Sequence, residues 1–174
     1  MEIIDFETFI NRIPTLITEK NATLIGQSNK TCVLYGADNF NRLDGIEYYN
    51  THNFGGVIVN FVGDISIANY SDTNDTFGKD FLVLLRNFMK RKGYFLDIKG
   101  NDLIANGVYK VASFMSQRFG DVLFTGIHIS MNVDIDIINQ ICTKEMVKIP
   151  KGLTNFGVTT EELLDFIQKS LEDK

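Results

Sequence analysis

The sequence is poor in the residues that build metal centres, disulfide frameworks and membrane spans. Its 174 residues include no tryptophan, two prolines, two cysteines and two histidines. Neither histidine has a second ligand at the spacing that metals require, which argues against a metal site. No run of about 18 apolar residues occurs, which excludes a membrane-spanning helix. Cys32 and Cys142 stand in apolar segments, so we interpret them as buried free thiols rather than a disulfide.

Basic residues are also in the minority. The chain has 17 Lys and Arg against 22 Asp and Glu, which gives a formal net charge of −5. Proteins that bind nucleic acids usually present a basic surface, so this balance argues against such a partner. The first residues, Met1 to Asp5, have neither the basic region nor the apolar segment of a signal peptide. We therefore expect a cytoplasmic protein that binds neither nucleic acid nor membrane.

Apolar residues, in contrast, are plentiful. They make up 44% of the chain and include 14 phenylalanines, so a core of Phe, Ile, Leu and Val is expected. The length lies within the range of one domain and is sufficient to bury a substantial core. No internal repeat and no linker interrupts the pattern. We therefore predict a single domain over residues 1–174.

Short apolar runs bounded by turn residues predict a series of strands. We place them at 31–35, 45–49, 55–61, 64–69, 94–97, 102–105, 108–115 and 122–133. The Val62-Gly63-Asp64 and Asn106-Gly107 steps each predict a tight hairpin between the strands that flank them. Because most neighbouring strands are joined by short turns, the sheet should be mixed and mainly antiparallel.

Apolar residues at helical spacing mark the other elements. The predicted helices cover 77–92, a short segment from Asp134, and 159–171, with a weaker pattern over 6–17 that Pro14 interrupts. The last of these helices should open with a capping box, because Glu162 follows Thr159 by three residues. Strands, one helix, more strands and two final helices predict an α+β fold in which a mixed sheet packs against helices.

Three segments, in order along the chain, carry a resemblance to a known family. The first, 52–65, is similar to the Arg-Arg-x-Ser-Gly-Gly-Gly motif, strand and Gly-Asn/Asp-Leu step of lipoate ligases. The second, 101–113, is similar to that family's Asn-Asp-Leu strand, turn and Gly-x-Lys-Ile-x-Gly/Ser run. The third, 124–134, resembles the His-Gly-x-x-x-x-x-Val-Asp strand of lipoate ligases and octanoyltransferases. The chain thus resembles a short, divergent member of the superfamily of lipoate, octanoate and biotin protein ligases.

The resemblance implies which residues bind the substrate. Lys110 takes the place of the family's essential lysine and is the implied catalytic residue. The implied ligand-binding residues are Asn53, Gly55, Gly56, Asn101, Asp102, Gly126 and Lys151. Adjacent glycines let backbone N–H groups approach anionic oxygens, and a lysine supplies a compact cation. A lone glycine pair more often marks a bulge, and a lone strand lysine is usually solvated. Their places within the motifs favour the functional role.

The resemblance also implies a reaction. Lipoate ligases attach a small carboxylic acid to a lysine of a lipoyl- or biotinyl-type carrier domain through an acyl-adenylate, with ATP and magnesium. Lipoate or octanoate is favoured over biotin, because the first and third segments resemble the lipoate branch. An enzyme of the ligase or acyltransferase type is therefore the leading interpretation, with a carrier domain and a small carboxylic acid as its partners.

Two departures from the family pattern leave alternatives open. Asn50 and Thr51 stand where lipoate ligases have two arginines, and neutral side chains cannot neutralise a phosphate. Lys151 stands where octanoyltransferases carry the nucleophilic cysteine of a Pro-Cys-Gly loop. The alternatives are a non-catalytic protein that binds an acyl group or a carrier, and a transferase that uses Cys142. The short apolar helix around Cys142 favours a packed thiol, and His128 is interpreted as structural.

Overall fold

The computed structural model describes residues 2–16, 22–36, 39–51, 56–72 and 74–172. The strands are β1 Ile3–Asp5, β2 Ala22–Gln27, β3 Cys32–Tyr35, β4 Glu47–Asn50, β5 Val57–Asn60, β6 Ile65–Asp72, β7 Asp97–Lys99, β8 Asp102–Ala105, β9 Tyr109–Phe119, β10 Val122–Ile129 and β11 Ile149–Pro150. The helices are α1 Phe6–Leu16, α2 Phe77–Arg91, α3 Ile135–Ile141 and α4 Thr160–Glu172, with a short 3-10 helix at Leu153–Phe156.

The strands form two sheets where the sequence predicted one. The large sheet has the order β1-β2-β6-β10-β9-β8-β7, with β11 added alongside the start of β9. The small sheet has the order β4-β3-β5. Three pairings are parallel, namely β1 with β2, β3 with β4 and β9 with β11, and the others are antiparallel. The predicted α+β class with a mixed, mainly antiparallel sheet is therefore confirmed.

Each face of the large sheet has its own hydrophobic core. On one face, Ile67 and Ile127 pack with Phe81 of α2 and Leu163 of α4. On the other face, Phe9 of α1 and Leu34 of the small sheet pack against Leu24, Ala68 and Phe124 of the large sheet. None of the described helices is long and apolar enough to cross a membrane. The candidate site lies on the second face, where the small sheet meets the middle of the large one.

The helices follow their sequence signals closely. At the start of α4, the N–H of Glu162 donates to Thr159 Oγ1 at 3.2 Å, and the N–H of Thr159 donates to Glu162 Oε1 at 2.8 Å. This is the predicted capping box. Asp134 caps α3 by accepting the N–H of Asp136 at 3.1 Å. The weak N-terminal pattern also forms a helix, α1, which includes Pro14 close to its end.

Strands β1 and β2 were missed by the sequence prediction. The residues of β2 are mostly small or buried, so alternation of apolar and polar residues is not visible along it. Gly26 is needed there because a Cβ would lie 2.6 Å from the ring of Phe9, where α1 crosses the sheet. Other boundaries shifted: β9 extends to Phe119, and β10 ends at Ile129 where 122–133 had been predicted.

One predicted hairpin is confirmed and the other is wrong. The chain turns after β8 through Asn106 and Gly107, whose φ angles are 52° and 76°, and β8 then pairs with β9. In contrast, β5 pairs with β3, whereas β6 pairs with β2 and β10. The turn between β5 and β6 is held by Asp64, whose carboxylate accepts the N–H of Phe61 at 2.9 Å and that of Met131 at 2.7 Å. These bonds fix the turn to the large sheet, so the chain leaves one sheet and enters the other.

Candidate functional site

The position of Lys110 depends on a bulge in β9. Leu103 of β8 pairs with Ala112, but the next residue, Ile104, pairs with Lys110, so Val111 is an extra residue in β9. A bulge locally breaks the alternation of side chains between the two faces of a strand. As a result, Val111 and Ala112 are both buried in the core beneath α2, while Lys110 is left on the opposite face.

Lys110 and Ser113 line the same two cavities, which adjoin one another between the small sheet and β9. The larger cavity has a volume of about 340 Å³ and the smaller about 240 Å³. Ile58 and His128 also line both, and Gly56 lines the smaller one. The structure therefore brings Gly56 and Lys110 to one cleft. The volume of the larger cavity is in the range that binds small molecules and cofactors.

The walls of the larger cavity are mainly apolar, and its cations are lysines. Val59, Phe61, Val133, Ile138 and Met146 supply apolar surface. Lys110 and Lys148 supply two ammonium groups among the described lining residues. Such a combination suits a ligand with an apolar body and an anionic group.

The other predicted site residues occupy different positions. Gly126 lines the smaller cavity. The carboxylate of Asp102 accepts a hydrogen bond from the ammonium group of Lys148 at 2.6 Å. This contact holds Lys148 at the larger cavity. Asn101 is exposed in the β7–β8 turn, where its carbonyl accepts the N–H of Phe114 at 3.0 Å. The remaining two, Asn53 and Gly55, lie outside the described residues.

Lys151 is not brought to the cleft. Pro150 pairs with Lys110 and lines the larger cavity, but Lys151, the residue after β11, is not among the residues that line it. The ammonium of Lys151 lies 4.2 Å from the centre of the Tyr109 ring, a cation–π contact. A ligand-binding role for Lys151 is therefore not favoured by its position.

His128 was interpreted as structural, but it lines both cavities. Its Nε2 lies 3.4 Å from Ser130 Oγ and 3.6 Å from Asp64 Oδ2. Burial, helped by the charge of Lys110, lowers the pKa of His128 to about 4. Burial also raises the pKa of Asp64 to about 7. The backbone N–H groups that donate to this carboxylate lower its pKa, but they offset the effect of burial only in part. The contact is therefore not an ion pair at neutral pH, because the imidazole is uncharged.

These opposite shifts give a testable pH dependence. The contribution of His128 to stability is present above its unfolded pKa of 6.5 and is lost as the pH falls towards 4. The contribution of Asp64 is present below its unfolded pKa of 3.8 and is lost as the pH rises towards 7. In the wild type the two oppose each other. Between pH 6.5 and pH 4, we expect the free energy of unfolding of Asp64→Asn to fall by on the order of 3 kcal/mol more than that of wild type.

Urea unfolding at several pH values measures this difference directly. His128→Gln is the complementary variant, because it retains only the Asp64 titration. Relative to wild type, it should become more stable on acidification over the same interval. Parallel curves for wild type and both variants would contradict the assigned shifts.

Few features of the sequence indicated the polar groups that are buried near this cleft. The side chain of Asn60, at the end of β5, is fully buried, and neither amide atom has a partner among the described residues. Ser66 Oγ and His128 Nδ1 are likewise buried without a partner in that part of the chain. Ser66 and His128 are paired across β6 and β10. Buried polar atoms of this kind usually bind water or a ligand. A polar residue within an apolar strand, such as Asn60 after Val57–Val59, was the one available signal.

Cys142 ends α3 and lines the larger cavity together with Lys110. Both cysteines are free, and Cys142 is half-buried where Cys32 is fully buried. Burial raises the pKa of the Cys142 thiol, and the charge of Lys110 offsets this only in part. A raised pKa leaves little thiolate at neutral pH, which is the nucleophilic form.

Comparison with known structures identifies the fold. LipL1 of P. falciparum, in complex with lipoate, superposes with a TM-score of 0.74 at 14% identity, over 94% of this chain and 56% of that one. Lipoate-protein ligase A bound with ATP matches with a TM-score of 0.75 at 12% identity, over 99% and 83% of the two chains. The chain has the fold of the lipoate protein ligases. This confirms the fold that the resemblance of the three segments implied.

Two further kinds of ligase share this lipoate ligase fold. A bipartite lipoate protein ligase of Thermoplasma acidophilum, described with its E2 lipoyl domain, has a TM-score of 0.75 at 11% identity, over 98% of this chain and 81% of that one. Biotin protein ligases match with lower TM-scores of 0.54 and 0.56. No family model and no curated protein matches the sequence. The chain spans little more than half the length of LipL1.

Proposed function

We propose that this protein transfers lipoate or octanoate to a lysine of a lipoyl-type carrier domain, through an acyl-adenylate. The observation that carries the proposal is the placement of Lys110, where a mainly apolar cavity adjoins a smaller one on the lipoate ligase fold. An acyl chain and an activated carboxyl group require apolar walls and a cation at their junction. The biotin ligases are the weaker structural match, which supports the choice of lipoate or octanoate.

The proposed reaction has two steps. A carboxylate oxygen of the acid attacks the α-phosphate of ATP, and pyrophosphate leaves. The neutral amine of the carrier lysine then attacks the acyl carbonyl, an amide bond forms, AMP leaves, and the proton of the amine passes to water. Lys110 holds the carboxylate in the first step and stabilises the negative charge on the carbonyl oxygen in the second.

The described residues fit the nucleotide better than they fit a separate metal ion. Lys110 and Lys148 offer cations to phosphate oxygens at the larger cavity. No group of three His, Cys, Asp or Glu residues in the described ranges could hold a metal. Magnesium would therefore enter bound to ATP, where it neutralises the phosphates, and the chain would contribute its lysines.

A mass shift on an apo carrier domain tests the proposal. The protein is incubated with ATP, an apo E2 lipoyl domain and lipoate, octanoate or biotin in turn. We expect the mass of the lipoyl or octanoyl adduct on the carrier, dependent on ATP, and none with biotin. An adduct only with biotin would overturn the choice of acid, and no adduct with any acid would overturn the ligase reaction.

A non-catalytic protein that binds an acyl group or a carrier is the second candidate, and one observation favours it. Thr51 is buried and Asn50 is exposed at the positions that correspond to the family's arginines. Neither can neutralise a phosphate, so we expect ATP to bind weakly. Isothermal titration with ATP, alone and with each acid, measures this. Tight binding would show that Lys110 and Lys148 replace the arginines; binding of acid without ATP would favour the non-catalytic protein.

The third candidate is a transferase that uses Cys142, which the structure places at the larger cavity. Because burial raises the pKa of that thiol, we expect Cys142→Ser to retain transfer activity within about twofold. Octanoyl acyl-carrier protein should then be a poor donor compared with octanoate and ATP. Loss of transfer in Cys142→Ser but not in Cys32→Ser, together with an octanoyl adduct on the protein, would establish the cysteine-dependent reaction instead.

A further inference from the structure

Exposed apolar side chains gather at the mouth of the larger cavity. Val147 is 92% exposed, Val108 44% and Ile149 41%. They are half of the large hydrophobic side chains that the described residues expose. Single exposed apolar residues are common and carry no meaning, but adjacent ones mark contact surfaces. We call these three residues the apolar rim.

Backbone contacts place the rim residues together. The N–H of Ile149 donates to the carbonyl of Val108 at 2.9 Å, because β11 adds to the free edge of β9 there. Val147 lies two residues before Ile149 and itself lines the larger cavity with Lys110. The rim therefore borders the opening through which an acceptor side chain would reach Lys110. A carrier that inserts a lysine at this point must contact the rim.

Residues 144–151, which include two of the three rim residues, form a basic segment in a chain that is acidic as a whole. Residues 144–151 contain three lysines and one glutamate, against a net charge of −5 for the chain. Lys144 is exposed and lines a small cavity with Cys142 and Gly56, two residues that also line the Lys110 cavities. An acidic partner surface would be attracted to this segment and repelled by the rest of the chain.

We infer that the apolar rim, with Lys144, is the docking surface for the carrier. The partner is a carrier domain whose acceptor lysine is flanked by apolar and acidic side chains. This inference rests on the proposed function, since it names the partner surface for the same cavity. Val108 and Ile149 contact the carrier and take no part in activation of the acid, whereas Val147 also lines the larger cavity.

Two half-reactions, measured separately, test the docking surface. Activation is followed without a carrier, as release of pyrophosphate from ATP with lipoate and hydroxylamine. Transfer is followed as the mass shift of an apo E2 lipoyl domain at increasing concentrations of that domain. In Ile149→Asp, a change at a rim residue that lines neither Lys110 cavity, we expect the KM for the carrier to rise about tenfold or more, because a charge must be desolvated at the contact. Activation should stay within about twofold of wild type.

Two further variants separate the apolar contribution from that of charge. Val62→Asp is the matched control, because Val62 is 56% exposed at the β5–β6 turn and does not line the Lys110 cavities. It should change neither half-reaction. Ile149→Lys should raise the KM for the carrier less than Ile149→Asp does, because the partner is acidic. Equal effects of the two substitutions would overturn the acidic character of the partner surface.

Failure of the inference differs from failure of the proposed function. If wild type transfers the acyl group and Ile149→Asp does so with an unchanged KM, the docking surface is wrong and the ligase reaction stands. If wild type activates no acid, the ligase reaction is wrong, and the surface is tested by titration of the apo lipoyl domain into both proteins. Equal affinity of wild type and Ile149→Asp in that titration overturns the docking surface as well.

Discussion

Replacement of Lys110 by alanine is expected to lower acyl transfer about 100-fold or more while the fold stays intact. The lysine would stabilise charge that develops on the acyl carbonyl, so its loss acts mainly on the transition state. Lys110 lines both cavities and carries a positive charge. It also takes the place of the essential lysine in the family motif. The measurement is the rate of adduct formation on an apo lipoyl domain at saturating acid and ATP.

Two controls make this result specific. Lys99→Ala removes an exposed lysine of β7 from the same sheet and should leave the rate unchanged. Thermal unfolding of Lys110→Ala should match wild type within a few degrees, because the side chain faces the cleft and not the core beneath α2. Unchanged transfer in Lys110→Ala would remove this residue from the mechanism and with it the proposed function of the cleft.

Gly152→Ala is expected to be the most destabilising single change in the region of the site. A Cβ at this position would overlap the carbonyl of Met131 and lie 2.9 Å from the nitrogen of Asn132. These are backbone atoms, which cannot move aside as a flexible side chain can. Because Met131 is itself held by Asp64 and Thr154, the strain would spread into the turn below the cleft. We expect a loss of about 3 kcal/mol or more in the free energy of unfolding.

Gly157→Ala provides the matched control from the same loop. The φ angle of Gly152 is −84°, which any residue adopts, so its requirement for glycine is the close approach alone. Gly157, in contrast, has a φ of +73° with open space around its Cβ position. Its substitution should therefore cost only about 1 kcal/mol, from backbone strain. Urea unfolding of both variants measures the difference, and equal losses would show that the overlap at Gly152 is relieved by movement of the chain.

The motifs located part of the site but not all of it. Lys110, Gly56 and Gly126 were predicted from the segments that resemble lipoate ligases, and the structure brings all three to the two cavities. Lys151 was predicted from the same resemblance, but it lies against Tyr109, away from the cleft. Pro150, the residue before it, lines the larger cavity, so the two neighbouring side chains point in different directions. A motif match gives the order of residues and not the face on which each lies.

His128 and Lys148 show what sequence patterns could not reveal. His128 follows Gly126 on an alternating strand, and the sequence does not tell whether the face that they share is covered or open. Lys148 is one of several lysines in a basic segment, and only its pairing with Asp102 brings it to the cavity. Both assignments depend on contacts between residues that are distant in sequence, which local periodicity does not contain.

The sequence alone determined the α+β class, the helices of residues 77–91 and 160–172, the turn at Asn106-Gly107 and the family resemblance. Each rests on a local signal, such as helical spacing, a capping box, a residue that tolerates positive φ, or a short motif. The tertiary structure alone decided that the strands divide into two sheets, that a bulge at Val111 turns Lys110 towards the cleft, and that Asp64 fixes the crossing between the sheets. These features result from pairing between distant segments, whose energies depend on the whole core.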